Sequence, residues 1–337
     1  MRSVFALVAR VIAWALSLKA TRSFLLYLER RGPQFADAIT YRTLFSVFAG
    51  VLLGFSLATL WLADNPIAWK ALVDAVDAVI PGLVGEGGLI DPKAIQVPAG
   101  LTVVGVLGLV GLIGAAIGAI GSLRTALRVL AGRVTEDVQW YWVIVRNLAL
   151  AAGIGAALVV SAALTYFGTV GVRTLLTWLG APDSGDAATL LPRIVSLVIV
   201  FGLDACIVAV LFLVLAGVRP SARSLWTGAL LGGFGLTVLQ ALSSLFVGGA
   251  SANPLLASFA ALIALLLWFN LSAQVILIAG AYIITGAEEE KDRVRAKFGA
   301  TTFAQRRVQR AEDAVTAAAR ELDLARAAAA AERASSS

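Results

Sequence analysis

Long apolar runs separated by short polar segments dominate the chain. Six of them, at residues 41–63, 98–121, 141–167, 194–216, 226–248 and 255–285, exceed the roughly 18 residues needed to cross a bilayer as a helix. At about 1.5 Å of rise per residue, each run covers the roughly 30 Å of hydrocarbon. The pattern predicts an all-α, polytopic integral membrane protein with about six transmembrane helices.

The flanking segments read differently. In residues 1–40, Arg2, Arg10, Lys19, Arg22, Arg30 and Arg31 are interleaved with Phe5, Leu7, Val8, Ile12, Trp14 and Leu16. Arg10 interrupts the apolar stretch and no small-residue cleavage site follows, so an interfacial amphipathic helix is expected in preference to a signal peptide or a further span. Within residues 64–97, Asn65-Pro66 offers a helix start. Trp69, Leu72, Val73, Val76 and Ile80 then share one helical face, with Lys70, Asp74 and Asp77 opposite, which predicts a short amphipathic helix on the outer leaflet. From AEEEKDRVRAKFG onward, residues 286–337 are rich in Ala, Arg and Glu and predict a soluble helical tail.

Composition makes the bilayer the main solvent: 59% of residues are hydrophobic and 14% charged, with a mean hydropathy of +0.88, against about 25% charged in an average soluble domain. The formal net charge of +6 follows topology. Arg124, Arg128 and Arg133 lie between the second and third runs, Arg219 and Arg223 between the fourth and fifth, and Lys291, Arg293, Arg295 and Lys297 after the sixth. The opposite connections hold only Lys70, Lys93, Arg173 and Arg193. The positive-inside rule therefore places both termini in the cytoplasm. Anionic lipid accounts for these basic segments without a nucleic-acid partner.

Catalytic chemistry finds little to build on. There is no histidine, and Cys206 is the single cysteine, so imidazole catalysis, a disulfide and a Cys/His zinc site are excluded. No Walker A loop, GxSxG elbow, HExxH helix or carboxylate cluster is present. Catalytic residues, metal ligands and cofactors are expected to be absent, and the chain is not expected to be an enzyme.

Polar groups inside the runs carry the functional expectations, because an ionisable side chain at mid-bilayer costs at least about 2.5 kcal/mol. Asp204 falls about 18 Å from the basic end of the fourth run. It either pairs with Arg146 of the third run or stays neutral and hydrogen-bonded to a neighbouring helix. Tyr41 and Arg42 stand at the mouth of the first run. Gln240, Asn270 and Gln274 are buried amides, the last two one turn apart. They serve either as interhelical hydrogen bonds or as a polar track for a head group or solute. Gly114 and Gly118 in the second run, and the GxxxG pair Gly228 and Gly232 in the fifth, predict close helix packing, within the chain or in a homo-oligomer.

Two stretches carry a family resemblance. AITYRTLFSVF, with Thr40 to Ser46 at its centre, and the segment from Gly228 to Ile283, containing GALLGGFGLTVLQ and NPLLASFAALIALLLWFNLSAQVILIAGAYI, resemble the YihY/virulence factor BrkB family of bacterial inner-membrane proteins. The likeness covers roughly residues 20–290 and looks closest to the YhjD-like branch in its last third. The chain departs from the family pattern at Ala49, where a proline is common, and at Tyr282, where a closing GAE motif carries glutamate. A former ribonuclease BN label for the family finds no support in a chain without histidine. The resemblance implies a multi-pass plasma-membrane protein that translocates a lipid or other amphiphile, an anionic envelope precursor among them. In that reading Arg42 and Arg146 attract the head group, Asp204 gates or couples to protons, and membrane lipids are the partners. The rival readings are a scaffold for envelope integrity and an intramembrane enzyme.

Overall fold

The computed structural model describes residues 14–62, 66, 69–70, 72–73, 76, 103–133, 141–157, 160, 186–247, 254–291 and 302–336. Its helices, in chain order, are α1 (Lys19–Glu29), α2 (Gly32–Leu62), α3 (Val103–Leu130), α4 (Tyr141–Ala157), α5 (Asp186–Leu215), α6 (Ala222–Val247), α7 (Pro254–Lys291) and α8 (Phe303–Ser336). No strand occurs among the described residues. Among the described residues, four segments are long and apolar enough to cross a membrane: Ile113–Leu130, Arg193–Leu215, Ala222–Leu242 and Leu262–Glu290. The 31-residue α2 runs through the first expected span, and α4 is a shorter apolar helix occupying the start of the third. The remainder of that third span apart from residue 160, residues 77–102 and residues 1–13 lie outside the described residues. The protein is an all-helical polytopic membrane protein.

The segment before the first span divides in two. The chain breaks after α1 at Arg30 and Arg31, the latter with φ of 58°, and α2 begins at Gly32, well before the expected start at residue 41. Gly32 lies directly against the Tyr27 ring, where any Cβ would collide, so the corner requires glycine. α1 turns Arg22, Ser23 and Tyr27 toward protein while Phe24 and Leu28 remain exposed. That polarity is the inverse of a helix on a water-soluble core and suits one whose apolar side meets lipid.

α5, α6 and α7 pack in sequence, and α2 packs on both α3 and α7. The main core gathers Leu127 of α3, Phe212 and Leu215 of α5, and Leu277 and Ile283 of α7. The glycines of α6 let its backbone approach: a Cβ on Gly228 would meet Ile283 and the Ala279 carbonyl of α7. One on Gly232 would lie 2.9 Å from Ala279 and 3.1 Å from Val208, and one on Gly233 2.8 Å from the Ala205 nitrogen of α5. The GxxxG pair thus packs within the chain. Among the described residues, a Cβ on Gly118 would lie 3.9 Å from Arg42 Cδ of α2, an ordinary contact across the α2–α3 interface, and one on Gly114 would have no neighbour within 4 Å.

A second cluster, Phe55, Leu265 and Phe269, joins α2 to α7. Trp69, Leu72, Val73 and Val76 pack against it, with the Trp69 ring edge-on to Phe55 at 5.4 Å. The apolar face legible in that segment is therefore covered by protein.

Candidate functional site

The ends of α3 and α5 and the start of α6 define one end of the bundle, which also carries Arg128 and Arg133 beside Gly217. Just inside this basic end, Arg146 lines two cavities. One, of about 410 Å³, is an apolar slot between α4 and α5, walled by Leu150, Ile154, Leu203, Ile207 and Val210. The other, of about 340 Å³, is bounded by Arg124, Trp142, Val143, Val145 and Arg146. Both fall in the size range of small-molecule sites, about 300–1,000 Å³.

Helix geometry explains the arrangement. Arg124 stands about 9 Å before the end of α3 and Arg146 about 8 Å into α4, so both side chains lie within about 10 Å of the helix ends they share. Asn147, next to Arg146, is turned to the opposite side, is buried, and packs against α3 where an added Cβ at Gly121 would lie 3.8 Å from its Nδ2. That contact orients α4 so that Arg146 faces the cavities. An Arg-framed space with a tryptophan in its wall favours an anionic group, and the adjoining slot suits a hydrocarbon chain.

Asp204 and Arg146 form no ion pair. Arg146 shares its slot with Leu203 and Cys206, whereas Asp204 is not part of that wall, and its Oδ2 is buried with no hydrogen-bond partner among the described residues. Asp204 sits at the edge of that face, one turn from Ile207, which lines the slot, and one turn from Val208, which packs at Gly232.

A second polar assembly forms between α2 and α7. Gln274 Nε2 donates to Asn270 Oδ1 at 2.6 Å, and Asn270 Nδ2 donates to Asp37 Oδ1 at 2.8 Å. The two amides were singled out by their one-turn spacing; Asp37 was not, because it lies ahead of the expected first span. Asp37, Tyr41 and Phe45 recur every four residues, forming an exposed stripe in which the Tyr41 and Phe45 rings meet edge-on at 5.1 Å. Arg42 turns to the α3 side and donates to the Gly118 carbonyl at 3.3 Å. Gln240 is partly buried on α6. No group of three or more metal-ligating side chains occurs among the described residues.

The profile of the family described as Virulence factor BrkB matches residues 24–301. The chain belongs to this family. Among BrkB-family relatives, the inner membrane protein YhjD of Escherichia coli (strain K12) is 25% identical over 289 residues, covering 83% of this chain and 83% of that protein. No solved structure matches the chain. The matched region holds both cavities and the Asp37–Asn270–Gln274 relay. The Tyr282 ring is covered by Lys19, whose Nζ lies 4.1 Å from the ring centroid. Burial holds the Lys19 pKa below the ordinary lysine range. Arg22, one turn on, pairs with Glu289, so α1 is clamped along the end of α7.

Proposed function

We propose that this BrkB-family protein resides in the bacterial inner membrane with both termini cytoplasmic and moves an anionic-headed lipid or similar amphiphile between leaflets. The observation carrying this reading is Arg146, which belongs at once to an apolar slot and to an arginine-framed cavity. An amphiphile has both characters, and a chain-binding slot that opens on two arginines at head-group depth matches them in order. With the basic end in the cytoplasm, the head group engages from the inner leaflet. Asp204 stands deeper, a buried carboxyl beside the α5–α6 contact, where a change of ionisation would alter the packing that flanks the slot. The protein displaces its ligand without transforming it.

The test is transbilayer movement of fluorescent anionic and zwitterionic lipids in liposomes holding the purified protein, beside Arg146→Ala and Asp204→Asn. Faster movement of the anionic lipid is expected, reduced about tenfold by Arg146→Ala, the effect of losing one charge-assisted contact. Movement no faster than in protein-free liposomes, with and without a proton gradient, would overturn the proposal and favour a scaffolding role.

A further inference from the structure

α8 extends 34 residues, about 51 Å of helix, beyond the membrane-embedded bundle. Its first turn is fastened: Arg306 Nε pairs with Glu29 of α1 at 3.0 Å, and Arg306 Nη2 donates to the Arg22 carbonyl at 3.2 Å. The rest leaves Val308, Val315 and Leu322 exposed at 59%, 70% and 51%, with Leu324 also exposed but off their line. These three positions are seven residues apart, and alanines 311, 318 and 325 fall between and after them at the complementary coiled-coil positions. Apolar residues recurring at heptad spacing, with small residues at the complementary positions, are the pattern of a coiled-coil seam.

We propose that α8 is the pairing surface for a second copy of this chain, forming a parallel, in-register, two-stranded coiled coil beneath the membrane. The charges flanking the apolar seam decide the occupant. In a parallel pair, each residue just before a Val or Leu position faces the residue five further along the other strand. Arg307 then meets Glu312 of the partner subunit, and Glu321 meets Arg326 of the partner subunit. Residues five apart do not face one another on a single helix, and neither Arg307 nor Glu321 has an opposite charge three or four positions away on its own strand. Between parallel copies the same pattern sets opposite charges together at both steps. Two copies in one membrane share an orientation, and each α8 starts from the same anchor on α1, which favours the parallel arrangement.

The experiment uses the full-length protein in liposomes, carrying Cys206→Ser so that an introduced cysteine is the only thiol. Val308→Cys is expected to form an intermolecular disulfide under mild oxidation, because identical seam positions adjoin only in the parallel register. Adding Glu321→Arg should lower the cross-linked fraction about fivefold, and adding Arg326→Glu to that variant should restore it. These positions are on a solvent-exposed helix, so the bundle stays folded in every variant. Absence of the Val308→Cys cross-link, or a cross-link indifferent to the charge exchange, would overturn the proposal.

Discussion

Asn270 of α7 donates a 2.8 Å hydrogen bond to the Asp37 carboxylate of α2, and in turn accepts one of 2.6 Å from Gln274. The relay ties the first long helix to the last, between elements that otherwise meet through the aromatic cluster of Phe55 and Phe269. Its only formal charge is at one end, on an exposed residue, so the two amides are oriented outward toward Asp37.

Removing either partner should therefore loosen the α2–α7 contact. Asp37→Ala and Asn270→Ala are expected each to lower stability in detergent, and a double-mutant cycle should return a coupling of about 0.6–1.7 kcal/mol, the range for hydrogen bonds in membrane proteins. A coupling of zero in thermal unfolding would show that the contact contributes nothing to the folded state.

The glycines of α3 and α6 should respond in opposite ways. Gly233→Ala places a methyl 2.8 Å from the backbone nitrogen of Ala205, and the α5–α6 pair must separate; a loss of about 1–3 kcal/mol is expected. At Gly114 nothing among the described residues lies within 4 Å, so Gly114→Ala should be neutral or stabilising by up to about 1 kcal/mol through helix propensity. Equal effects at the two positions in a denaturant titration would contradict the packing described.

Alkaline pH should expose Tyr27. Its hydroxyl is buried without a hydrogen-bond partner among the described residues, and burial, followed by the charge of Asp37, pushes its pKa from 10.0 up to about 12. The folded state thus holds the phenolic proton more tightly than the unfolded chain does. The resulting stability is complete below pH 10 and is lost as pH rises through about 12. Tyr27→Phe should flatten this dependence while leaving the protein no less stable near neutrality, since an unsatisfied buried hydroxyl is removed. Thermal unfolding of both proteins at about pH 8 and about pH 11 measures the difference; parallel curves would contradict it.

Much of the architecture is legible in one dimension because the bilayer imposes a length. The four spans at Ile113–Leu130, Arg193–Leu215, Ala222–Leu242 and Leu262–Glu290 follow from runs that have no other way to satisfy their backbone amides in hydrocarbon. The apolar face of Trp69, Leu72, Val73 and Val76 was likewise visible in its spacing; that Phe55 and Phe269 would cover it was not. Arg146 was conspicuous as a charge in an apolar run, yet its partnership with Arg124 and Trp142 depends on how α4 lies against α3 at Gly121.

The sequence by itself determined which segments are solvated by lipid, which carry charge, and which polar residues inside the membrane needed explaining, because each follows from local transfer free energy and helical period. Packing between helices sets the pairing: Asn270 with Asp37 as well as with Gln274, Arg146 with two cavities and not with Asp204, and Gly228 with Ile283. Those outcomes depend on the rotation and tilt of each helix against its neighbours, and these are set by the sum of many side-chain contacts across the bundle, not by any one segment.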